Sequence, residues 1–156
     1  MIRVTSREVA RPIKGEDMAD APQGPSGGLT PHITIADNRA AEAIDFYTAA
    51  LGAQEQRRML ADDGKRLMHA HLIINGSSLM LNDEFPEYRG PGDTGHVTPS
   101  GFTLHLQVDD TDTWFNRAIA AGATQRMPPT DMFWGDRYAQ VADPFGYAWA
   151  IGAPIK

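Results

Sequence analysis

Phe133-Trp134-Gly135-Asp136-Arg137-Tyr138-Ala139-Gln140-Val141-Ala142-Asp143-Pro144-Phe145-Gly146-Tyr147-Ala148-Trp149-Ala150-Ile151 is the stretch that decides how the rest of the sequence is read. Asp143-Pro144-Phe145-Gly146 is a turn signal, because Pro presets φ at about −65° and Gly accepts positive φ. Residues 137–142 before it and 147–151 after it read as extended, so the stretch predicts a β-hairpin that ends a sheet. The polar run Trp134-Gly135-Asp136-Arg137 stands at the head of the hairpin and is the first place to look for function.

Working outward, the same punctuation occurs earlier. Gly76 and Gly146 are 70 residues apart, as are Gly52 and Gly122. Around the first pair, residues 30–36 alternate as a strand, Asp37-Asn38 is expected to cap a helix over 39–51, and Gly52 ends it. Strands are then expected over 54–60 and 65–74, with an Asp62-Asp63-Gly64 turn between them. The Asn75-Gly76 hairpin turn leads to a returning strand over 78–81. The second half repeats this order. A strand over 102–108 precedes a helix capped by Asp109-Asp110 or Asp112 and ended by Gly122. A strand over 123–126, a Pro-rich loop and the quoted hairpin follow.

Each half thus reads strand, helix, strand, strand, strand. One such unit leaves a sheet face uncovered and two together can cover it, so the expected fold is α+β. It consists of two βαβββ units forming a curved eight-stranded mixed sheet around a shared cavity. Residues 1–29 read as a linker or partner-docking arm, with a short strand over Met1-Ile2-Arg3-Val4-Thr5 and a Pro/Gly-rich end. The domain spans 30–152, with units 30–82 and 101–152 and a polar loop over 83–100, in which Phe85 and Tyr88 are candidate lid residues. Alternation places His32 and Thr34, His69 and His71, and Met80 on the cavity side. It does the same for Thr103, His105 and Gln107, for Arg137, Ala139 and Val141, and for Ala148 and Ala150. Four of the five histidines fall on this surface.

Hydrophobic residues at 42% and charged residues at 22% are ordinary for a globular domain. The net charge of −6 argues against nucleic acid and favours neutral or cationic small molecules. With no cysteine, disulfides, thiolate metal sites and Cys nucleophiles are excluded. No apolar run is long enough for a membrane span and no signal-peptide core stands at the N-terminus, so a cytoplasmic location is expected.

The runs Pro31-His32-Ile33, Ala43-Ile44-Asp45-Phe46-Tyr47 with Leu51-Gly52-Ala53, His69-Ala70-His71-Leu72 and Asp143-Pro144-Phe145-Gly146-Tyr147-Ala148-Trp149 resemble the vicinal oxygen chelate superfamily, the glyoxalase/bleomycin-resistance/dioxygenase fold. Phe133-Trp134-Gly135-Asp136-Arg137 ahead of the turn is most similar to the glyoxalase-like branch found beside phosphonate-utilisation genes. The resemblance implies a homodimer. It also implies four metal-ligand positions in the metal-dependent members, which spacing puts at His32, Met80, Thr103 and Ala150. Only His32 is a usual ligand there, so the standard metal site is broken and no cofactor is expected.

Three readings of the site follow. In the first, the protein binds a small organic molecule without metal, as drug-sequestering relatives do. Arg137 then holds an anionic or carbonyl group, Trp134 and Phe133 stack on the ligand, and His69, Thr103 and Met80 line the cavity. In the second, a metal-independent isomerase, lyase or hydrolase uses His32, His71 or His105 as general base. In the third, those three histidines form a relocated divalent-metal site. For Arg137 the competing reading is a salt bridge with Asp136, and for Trp134 and Phe133 it is a loop anchor.

Overall fold

The computed structural model describes residues 24–93, 95 and 100–156. The expected strand at Met1–Thr5 and most of the arm lie outside the described residues. The first unit runs β1 (His32–Ile35), α1 (Ala40–Leu51), β2 (Gln54–Leu60), β3 (Leu67–Ile74) and β4 (Ser77–Asp83). A 3-10 turn at Pro86–Tyr88 follows. The second unit is β5 (Leu104–Gln107), α2 (Thr111–Ala121), β6 (Thr124–Asp131), β7 (Asp136–Ala142) and β8 (Ala148–Pro154). The two βαβββ units and the α+β class are those expected. The eight strands form two separate four-stranded sheets, ordered β1-β4-β3-β2 and β5-β8-β7-β6. Each is mixed, with its first strand parallel to its last and the other pairs antiparallel. None of the helices among the described residues is long and apolar enough to cross a membrane.

Local chemistry accounts for the element ends. Gly52 (φ 64°) stops α1 in the left-handed region, its N–H donating to the Thr48 carbonyl. Asn75 (φ 48°) and Gly76 (φ 82°) make the two-residue hairpin. Asp110 caps α2, its carboxylate accepting from the Asp112 N–H at 3.1 Å. The start of α1 differs from expectation. Asp37 and Asn38 both have positive φ and give no side-chain cap. Asp83, buried at the end of β4, supplies the acceptor from 43 residues away. It takes the Ala40 N–H at 2.9 Å and the Leu67 N–H at 2.7 Å, tying α1, β3 and β4 together. Strand β6 also runs further than predicted, through Pro128 and Pro129. It is an edge strand whose pairing with β7 skips between Met127 and Thr130, so the missing Pro N–H groups break no ladder bond.

One core serves both units. Ile33, Ile35, Leu72, Leu79 and Leu81 of the first sheet join α1, while Val141, Trp149 and Ile151 of the second join Phe115 and Ala118 of α2. α1 packs on α2, where Arg117 Nε donates to the Ala50 carbonyl at 2.9 Å. Among the described residues no strand of one unit contacts a strand of the other. Instead the turn between β7 and β8 seats on the first unit. Tyr147 Oη donates to the Thr34 carbonyl at 2.8 Å, and Phe145 packs edge-on against Phe46 and Tyr47. Tyr47 Oη donates to Asp143 Oδ2 at 2.6 Å, and Trp149 Nε1 donates to the same oxygen at 2.9 Å. Asp143 Oδ1 takes the Phe145 and Tyr147 N–H groups, both at 2.9 Å. Burial, and then the Asp143 charge, push the Tyr47 phenol well above its ordinary value, so it stays a donor.

Asp143→Ala leaves four donors without their acceptor and is expected to cost about 3 kcal/mol or more, against about 1–2 kcal/mol for Tyr47→Phe, which removes one. Urea unfolding of both variants checks this, and equal, small losses would refute the role given to Asp143.

Candidate functional site

The helices cover one face of each sheet, and the opposite faces carry the candidate residues. Cross-strand register arranges the first of these helix-free faces in rows. His32 of β1 lies opposite Met80 of β4, Met80 opposite His71 of β3, and His71 opposite Arg57 of β2. In the next row Thr34 lies opposite Asn82, and on β3 and β2 His69 lies opposite Met59. The pairing skip between Met59 and Leu60 makes Met68 an extra residue, a β-bulge beside His69. His32 and His69 meet edge to face with centroids 6.0 Å apart, and Thr34 donates to Asn82 Oδ1 at 3.1 Å. His71 is 3% exposed; its Nε2 lies 2.8 Å from Ser78 Oγ, and its buried Nδ1 has no partner among the described residues. Burial pushes the His71 imidazole below its ordinary value. For His69, burial and then the neighbours His32, His71 and Arg57 do the same.

The second helix-free face carries a row of rings. His105 of β5 lies opposite Ala150, and Ala150 opposite Gln140; Gln107 lies opposite Gly152, and Gly152 opposite Tyr138. The His105 ring runs over Gly152, where a Cβ would stand 3.2 Å from His105 Cε1. It stacks on Tyr138 at 6.2 Å and 16°, with Nε2 2.9 Å from Gln107 Oε1. Trp134 meets Tyr138 edge to face at 5.7 Å, and Phe133, 96% exposed, meets Trp134 at 5.1 Å. Tyr138 was missed by the sequence reading, which placed Arg137, Ala139 and Val141 on this face instead.

That reversal has a physical cause. The first hairpin closes with Ile74 opposite Ser77, the second with Ala142 opposite Ala148. Aligning both on their turn glycine shifts β7 by one residue, which flips every side chain. Ala139 and Val141 are core residues under α2. Arg137 points to the helix side, where its guanidinium binds Asp112 of α2 and, at 3.0 Å, Asp131. These bonds hold its pKa above the ordinary arginine value. Neither the ligand-holding position nor the Asp136 partnership expected for Arg137 is found.

The metal question turns on the donors. His105 faces Ala150 as His32 faces Met80, so His105, not the exposed Thr103 ahead of β5, occupies the pseudo-equivalent position. The four positions then hold two imidazoles, a thioether and a methyl, a set unsuited to a divalent cation. Among the described residues no three His, Asp or Glu side chains group closely enough to hold a metal. Two pockets among the described residues lie within single units. One of about 510 Å³ lies beside Thr34, Met68, Asn82, Tyr88 and Arg89, walled by the stacked Phe85 and Tyr88 rings. Another, of about 240 Å³, lies around Arg137, Asp112 and Lys156. Neither spans both units.

The family model for the Glyoxalase/Bleomycin resistance protein/Dioxygenase superfamily matches residues 30–151, and the chain belongs to that superfamily. It is 46% identical over 130 residues to the Mycobacterium tuberculosis protein Rv0887c, covering 82% of this chain and 75% of that one. It is 37% identical over 120 residues to the anthracycline biosynthesis protein DnrV of Streptomyces peucetius, covering 71% of this chain and 42% of that one. The crystal structure of PA1353 from Pseudomonas aeruginosa superposes with a TM-score of 0.66 at 25% identity, over 83% of this chain and 98% of that one.

Because the folded state depresses the His71 and His69 pKa values, the unfolded chain binds more protons just below the ordinary histidine value. The stability tied to this is present above about pH 6.5 and is lost as pH falls toward the depressed values. Unfolding free energy is expected to drop between about pH 7 and pH 5, less steeply in His71→Gln. Urea melts across that range test it, and identical slopes would exclude His71 as a contributor.

Proposed function

We propose that this protein binds a small, flat organic molecule without a metal, as a homodimer. The observation that carries the reading is the ring row His105–Tyr138–Trp134 on a helix-free sheet face, with Trp134 48% exposed. Such rings offer broad stacking area at little entropic cost. The likeness to DnrV supports a fused-ring ligand of the anthracycline kind, and drug sequestration fits a site with no reactive metal. The exposed Phe133, Tyr88, Phe102 and Leu60 are apolar surface of the kind a second copy covers. The narrower tie to the phosphonate-associated branch rests on the Phe133–Arg137 run alone.

Titration with an anthracycline, followed by tryptophan quenching, is expected to saturate on protein purified free of stoichiometric divalent metal. Trp134→Ala and Tyr138→Ala should each weaken binding by about tenfold. Arg137→Met, on the helix side, should leave it unchanged. Absence of saturable quenching, or equal affinity in Trp134→Ala, would end the reading; a monomer by light scattering would end its dimeric part.

A second reading is metal-independent catalysis with His71 as base. Burial favours its neutral form, and Ser78 Oγ lies 2.8 Å away. Turnover of a bound ligand, abolished in His71→Gln, is the expected result on this reading; ligand recovered unchanged favours binding alone.

A further inference from the structure

On the helix-free face of the second sheet, Tyr138 stands in a row with Thr130 of β6, Gly152 of β8 and Gln107 of β5. Its ring lies between those of His105 and Trp134. The hydrogen bonds around it have a direction. Gln140, two residues along β7 and therefore on the same face, donates its Nε2–H to Tyr138 Oη at 2.9 Å. A phenol oxygen that accepts a hydrogen bond still has its own proton to give. The polar neighbours in the row are engaged elsewhere. Thr130 Oγ1 donates to the Pro128 carbonyl at 2.8 Å, and Gln107 Oε1 lies 2.9 Å from His105 Nε2. Among the described residues the Tyr138 hydroxyl thus accepts one hydrogen bond and donates none. Gly152, opposite Tyr138, has no side chain to hold the His105 ring away; a Cβ there would stand 3.2 Å from His105 Cε1.

From this we infer that Tyr138 sets the ligand's class: its hydroxyl donates to a carbonyl oxygen on the edge of the flat ring system, so the ligand is a fused-ring ketone or quinone and not a plain aromatic hydrocarbon. The inference rests on the small-molecule reading above and names the polar group that ligand carries. Stacking on Trp134 and Tyr138 does not discriminate here, because both kinds of molecule present a broad π-face. The hydroxyl does discriminate. Tyr138 is half-buried, and a ligand laid over it displaces the water that its proton would otherwise bond. A ring carbonyl replaces that water, whereas a hydrocarbon edge leaves the donor unsatisfied. Gln140 is a positioning residue. By donating to Oη it leaves the phenol proton as the free end of the pair. The ring itself is held in place by the His105 stack, which Gln107 steadies through Nε2.

The probes are anthraquinone-2-sulfonate and anthracene-2-sulfonate, which share three fused rings and a sulfonate and differ in two carbonyl oxygens. Each is titrated into the full-length protein and followed by tryptophan quenching. The parent is expected to bind the quinone about fivefold more tightly. Tyr138→Phe keeps the ring and should bind the two probes alike, losing affinity for the quinone only. Gln140→Glu places a carboxylate where the amide N–H stood. It should take the phenol proton and abolish the preference with the tyrosine still in place, which a merely structural Gln140 would not do. Thermal melts like that of the parent confirm that each variant folds, and either variant alone keeps the test intact. Equal affinity of the parent for both probes, or a preference that survives in Tyr138→Phe or in Gln140→Glu, would overturn the inference. Anthracycline quenching on the same samples separates the two failures. If the anthracycline saturates while the quinone does not, or the two probes bind equally, the small-molecule reading stands and the role of the hydroxyl falls. If nothing saturates, both fall.

Discussion

The buried carboxylate of Asp143 is the constraint on which the arrangement of the two units depends. It sits in a turn of the second unit and takes a phenol from the first-unit helix, an indole from its own outgoing strand and two backbone N–H groups of its own turn. A carboxylate 6% exposed has lost most of its hydration, and it is tolerated because all four of these donors aim at it. The same four bonds fix the turn's shape and press Phe145 and Trp149 against α1. Asp83 plays a related part inside the first unit, joining the start of α1 to β3. Asp143 thus does by hydrogen bonding what no strand pairing among the described residues does between the sheets.

This division of labour leaves polar and aromatic side chains on the helix-free faces. The first concentrates imidazoles, and the second concentrates rings. They are built on equivalent frames: His32 faces Met80 and His105 faces Ala150. The superfamily's fold is therefore present while the residues at its usual ligand positions are unsuited to a divalent cation.

Much of this was legible beforehand because it depends on local rules. Helix and hairpin ends follow from Gly52, Gly122 and Asn75-Gly76, whose backbone angles few other residues adopt. Strand alternation put His32, His69, His71 and His105 on the helix-free faces, where the structure has them. What failed was the reading of β7, and the reason is parity. A five-residue connection, 143–147, stands where the turn was read as Asp143-Pro144-Phe145-Gly146, and one residue of slip exchanges Arg137 for Tyr138. The cap of α1 failed for a different reason. Its acceptor comes from Asp83, far along the chain, and a local rule finds only Asp37 and Asn38.

The amino-acid sequence by itself determined the repeated βαβββ order and the family, since each rests on residue identity and near-neighbour spacing. Only the tertiary structure decided which groups act together. It gave Arg137 to Asp112 and Asp131, set Tyr138 between Trp134 and His105, and buried His71 Nδ1 with no partner among the described residues. Those outcomes depend on cross-strand register and on contacts between residues far apart in the chain, which spacing along one strand does not carry.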